Sequence, residues 1–100
     1  PWLDKKAPQA PSVTQEDRET DVYIKWTPKD VADVFKYVVY TQYGDKWIYR
    51  TLNAKSSFFQ VPKVAEVNPK TKATAPLTAI KVTAIDRAGN ENEGEIMAVN

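Results

Sequence analysis

The stretch of this chain richest in reactive side chains is TAIDRAGNENEGE, Thr83 to Glu95, where four carboxylates and two asparagines surround two glycines. Two chemistries use oxygens at such density. A calcium loop brings roughly six to eight of them together at set spacing around an ordering glycine. The stretch lacks the Asp-x-Asp-x-Asp-Gly order and the terminal Glu of an EF-hand. A glycosidase site needs two carboxyls about 5–9 Å apart, one of them with a pKa raised by burial. Glu91, Glu93 and Glu95 are expected in a wet loop where nothing would raise a pKa, and Asp30 with Asp33 and Glu16 with Asp17 are expected to be exposed loop pairs. Turns, in contrast, call for these very residues. Asp86 and Asn90 can hydrogen-bond their own backbone, and Gly89 can take positive φ at little cost. The stretch is expected to be the turn of a β-hairpin, with no catalytic residue and no metal.

The rest of the chain narrows the chemistry further. It contains no cysteine and no histidine, which removes disulfides, thiolate nucleophiles, Cys/His zinc sites and Ser–His machinery. No cofactor is implied. The one constellation suited to binding is aromatic: Tyr43, Trp47 and Tyr49 surround Gly44-Asp45, and Trp47 and Tyr49 share a strand face by period two. Aromatic faces stack sugar rings and anchor protein partners at low conformational cost. The three residues are therefore candidates for glycan or protein contact, beside the plainer reading that they cover the edge of the core. Fourteen basic and 13 acidic residues leave a net charge of +1, so nothing recommends nucleic acid or an anionic membrane as partner. The lysines between Lys63 and Lys72 read as a solvated loop. No apolar run approaches the roughly 20 residues that span a bilayer, so neither membrane insertion nor a signal peptide within these residues is expected.

One hundred residues with a hydrophobic fraction of 42% suit one globular domain. Prolines at 1, 8 and 11 make residues 1–9 a stiff connector that runs into an edge strand, with the domain over 10–100. The chain opens on Pro1 and is expected to be part of something longer. Trp2 and Leu3 are expected to contact a neighbouring domain of the same polypeptide. Alternation then marks the strands. Val22, Ile24 and Trp26 share one face, and Trp26 is a core residue. Tyr37, Val39 and Thr41 oppose Val38, Tyr40 and Gln42. KWIYRTLN follows the Gly44-Asp45 turn, and SSFFQVP sends Phe58 and Phe59 to opposite faces. Ile80, Val82 and Ala84 are expected inward, Lys81 and Thr83 outward, and EIMAVN closes the chain. With a leading strand near Pro11 to Gln15 the count is seven. Val31, Val34 and Phe35 allow at most one helical turn.

VYIKWTP, YVVY and AIKVTAIDRAGN together resemble the fibronectin type III domain, over about Ala7 to Asn100. The resemblance implies an all-β, seven-stranded antiparallel immunoglobulin-like β-sandwich. The family's usual tyrosine in the sixth strand falls here at Thr78, and the connection from Pro62 to Pro76 is longer than usual. That loop is expected to be held by Val64 or Val67 tucked under the sandwich. PWLDKKAPQAP is also similar to the junction that follows the barrel domain in bacterial glycosyl-hydrolase-like lipoproteins. These resemblances imply a non-catalytic accessory or spacer module of a secreted, surface or periplasmic bacterial protein acting on carbohydrate. Its partners would be the neighbouring domain and a polysaccharide. The alternatives are a carbohydrate-binding module and a protein–protein adhesion module.

Overall fold

Eight strands make up the fold in the computed structural model, which describes residues 8–28 and 34–99. They are β1 (Ser12–Asp17), β2 (Asp21–Thr27), β3 (Lys36–Tyr43), β4 (Lys46–Asn53), β5 (Phe58–Pro62), β6 (Val64–Asn68), β7 (Ala73–Ile85) and β8 (Met97–Ala98). No helix occurs among the described residues, and every pairing is antiparallel. One sheet has the order β1-β2-β5. The other has the order β4-β3-β7-β6, with β8 also paired to β7.

The period-two pattern of β2 buries Val22, Ile24 and Trp26 and leaves Lys25 exposed, as a half-buried strand requires. Facing them across the core are Tyr37, Val39 and Tyr43 of β3 and Leu77, Ile80, Val82 and Ala84 of β7, with Val61 of β5 completing the cluster. Both sheets thus turn an apolar face onto one interior. Trp26 and Tyr37 meet there in a tilted pair with ring centroids 5.5 Å apart, a favoured aromatic geometry. Phe59 packs against this cluster, whereas Phe58 stacks outside on Tyr23.

Two features differ from the expected seven strands. The segment taken for a solvated loop, Lys63 to Lys72, forms β6 and the turn that pairs it with an extended β7. Asn68 builds that turn: its side-chain oxygen accepts the backbone N–H of Lys70 and Thr71. The main-chain pairing satisfies donors that a free loop would leave to water. Val64 is 53% exposed and tucks under nothing, while Val67 and Ala65 pack against the core cluster. The second difference concerns Thr83. It points outward by parity, yet it is fully buried, because the chain after β7 folds back across it. A Cβ on Gly94 would stand 2.8 Å from Thr83 Cγ2 and 3.0 Å from Lys81 Cγ. Only glycine fits there, and its φ of +71° suits only glycine as well.

Trp2, Leu3, Asp30, Val31 and Asp33 lie outside the described residues. The possible helical turn and the inter-domain contact fall with them.

Candidate functional site

Within Thr83 to Glu95, β7 ends at Ile85 and Asp86 to Asn90 form a turn that sends the chain back along it towards β8. Gly89 sits at φ +89° and donates its N–H to the Asp86 carbonyl. The Asp86 carboxylate accepts the Asn90 backbone N–H at 2.8 Å and the Asn90 side-chain amide at 3.0 Å. Those bonds, with further ones from the Ala88 and Gly89 backbone, hold the Asp86 carboxyl below its usual pKa although the residue is buried. Asn92 extends the pairing, since its Oδ1 accepts the Ala84 N–H and its N–H donates to the Ala84 carbonyl. Glu91 forms an isolated bridge with Ile85.

Glu91 is not the free carboxylate of a wet loop. Its Oε2 accepts the Tyr40 hydroxyl and the Thr83 hydroxyl, each at 2.5 Å. The carboxylate therefore pins the returning chain to the outer face of β3 and β7. Burial, and then the bond to Glu91, push the Tyr40 phenol up to about 12. The other acid pair, Glu16 with Asp17, ends β1 instead of lying in a loop. Glu16 contacts Arg18 at 3.1 Å and Lys25 at 3.5 Å, and Asp17 contacts Lys63 at 2.6 Å. Arg18 lowers the Glu16 pKa. Among the described residues no three acidic side chains converge.

The aromatic constellation divides. Tyr43 is 3% exposed, and its hydroxyl donates to the Pro62 carbonyl at 2.8 Å. It is a core residue that ties β3 to the end of β5, a correction to its candidacy for surface contact. Trp47 and Tyr49 remain on the surface, 41% and 68% exposed. They share the outer face of β4, beside two residues that the sequence reading passed over. Tyr49, Tyr40 and Lys81 stand in register on β4, β3 and β7, and Trp47 pairs with Gln42 in the next position. The Tyr40 and Tyr49 rings lie 6.2 Å apart at 40°, and the Lys81 ammonium sits 4.4 Å from the Tyr40 ring centroid. Tyr40, Trp47, Lys81 and Ile96 enclose a shallow concavity of about 330 Å³.

The pairing of Tyr40 with Tyr49 follows from the two-residue Gly44-Asp45 turn, which fixes the register of β3 on β4. Lys81 reaches the same place through the non-local pairing of β7 with β3, and Ile96 through that of the adjacent β8 with β7, which leaves no local signal. A second apolar groove, about 250 Å³, opens on the other face of β4 between Ile48, Arg50, Phe59 and Val61. No protein-family model matches this chain, and no curated protein matches it.

Proposed function

We propose that this chain is a non-catalytic accessory module, an immunoglobulin-like sandwich of the fibronectin type III kind. It spaces, or docks against, a neighbouring domain of a larger exported bacterial protein that acts on carbohydrate. The strand orders β1-β2-β5 and β4-β3-β7-β6, with β8 also on β7, around one core support the fold part of that reading. The observation that carries the non-catalytic part is the use made of the acids in Thr83 to Glu95. Asp86 folds back on Asn90, and Glu91 is taken up by Tyr40 and Thr83. A general acid needs a carboxyl whose pKa is raised, whereas the shifts at Asp86 and Glu16 run downward.

Two measurements test the reading. Incubation with a panel of nitrophenyl glycosides is expected to release no chromophore above the buffer rate. Release that scales with protein and disappears in Glu91→Gln would overturn it. The coding region flanking this chain is expected to specify a further domain, and a reading frame encoding no other domain would refute the module assignment.

A further inference from the structure

The outer face of the β4-β3-β7 sheet carries more apolar and aromatic surface than a spacer requires. Tyr49 and Ile96 are each more than three-fifths exposed, and Trp47 about two-fifths. Trp47 and Ile96 frame the concavity floored by Tyr40 and Lys81, and Tyr49 flanks it through its ring contact with Tyr40. Its volume of about 330 Å³ falls at the lower end of the roughly 300–1,000 Å³ of small-ligand sites. A protein partner would need about 800 Å² on each side, and the apolar surface here is confined to a few side chains.

The charge inside the concavity selects the ligand. Lys81 is its only cationic lining residue, and among the described residues no carboxylate lies within ion-pair distance of it. The side chain is also held in place. The ammonium rests over the Tyr40 ring, the Tyr40 hydroxyl is anchored on Glu91, and the aliphatic stem lies so close to Gly94 that a Cβ there would crowd it. A cation fixed in this way loses little freedom on binding, which favours affinity. An indole platform beside a fixed ammonium matches a ring with one apolar face and one acidic substituent.

We propose that Trp47, Tyr49, Tyr40 and Lys81 form a binding site for an acidic saccharide, a uronate unit of a polysaccharide. The sugar ring lies on Trp47 and its carboxylate is taken by Lys81. The site is independent of the spacer reading, since a module can separate domains whether or not it holds a glycan.

The test is a titration of the whole chain with a hexuronate oligosaccharide, its carboxyl-reduced neutral counterpart and poly-glutamate, followed by amide and indole NMR shifts. The uronate is expected to bind with shifts confined to residues around Tyr40, Trp47, Tyr49, Lys81 and Ile96. Lys81→Met, which keeps the packed stem, is expected to weaken uronate binding roughly tenfold, the loss of one charge-assisted contact. It should leave the faint binding of the neutral sugar unchanged. Tyr49→Ala, at the most exposed position of the platform, is expected to weaken both sugars and serves as a second variant if Trp47→Ala does not fold. Equal binding of neutral and acidic sugar overturns the proposal, as does equal binding of poly-glutamate, which would mean charge attraction alone. Shifts on another face, or none at about 10 mM ligand, well above a millimolar dissociation constant, overturn it too. So does concentration-dependent broadening of this face without ligand, which would assign it to a second copy of the chain.

Discussion

Gly94 shows how one residue governs its surroundings. Its substitution by Ala forces a side chain into the space of Thr83 Cγ2 and into a left-handed backbone conformation at once. Gly94→Ala is expected to destabilise the fold by about 1–3 kcal/mol in urea unfolding. Tyr40 sets a pH limit. Its phenol ionises near 12 in the folded chain and near the ordinary value of 10.0 when unfolded. The folded state therefore holds the proton that the unfolded state releases, and Tyr40 costs stability as pH rises from 10 towards 12. Tyr37 and Tyr43, raised by burial, act in the same direction. In Tyr40→Phe the alkaline decline in unfolding free energy is expected to be shallower, with the slope below pH 10 unchanged. At this scale the sequence was legible wherever parity alone decides. Tyr43 shares the parity of Tyr37 and Val39, both buried, so its inward position was readable in the alternation despite the aromatic company of Trp47. Thr83 was not readable, because what covers it is a later segment of chain and no property of its own strand.

Among the elements, β2, β3, β4 and the second half of β7 follow from period-two alternation and the Gly44-Asp45 turn. β6 escaped because Pro62, Pro69 and Pro76 with intervening lysines carry the composition of a loop, while its pairing partner lies across a turn that needs no glycine. That turn instead strains Lys72, at φ 58°. Lys72→Gly is expected to stabilise the chain by roughly 0.5–1 kcal/mol, the relieved strain less the greater unfolded-state freedom of glycine. Denaturant midpoints of the two proteins check this, and a fall in the midpoint would contradict the strain. The β4–β3–β7 register explains why only half of the proposed face was legible in the sequence. Trp47 and Tyr49 announce themselves by type and spacing, but Lys81 joins them through pairing between distant parts of the chain.

For the whole molecule, stability rests on the interior shared by the two sheets. Trp26 is almost wholly buried against Tyr37, and Trp26→Ala should cost about 3–5 kcal/mol. That approaches the total stability of about 5–15 kcal/mol usual for a domain. The variant is expected to lose most of its dispersed amide spectrum or to melt at a much lower temperature. Beyond Asn92 the returning chain is held by a short ladder: among the described residues β8 pairs with β7 at two positions, Ala79 with Ala98 and Ile80 with Met97. So short a ladder opens locally long before the domain melts. Limited proteolysis is therefore expected to nick the tail beyond Asn92 first, leaving a trimmed body that still melts cooperatively. Such a cut would take Gly94 off the Lys81 stem and Ile96 out of the concavity while Glu91 still holds Tyr40, so it is expected to weaken the proposed preference for a charged sugar without unfolding the protein.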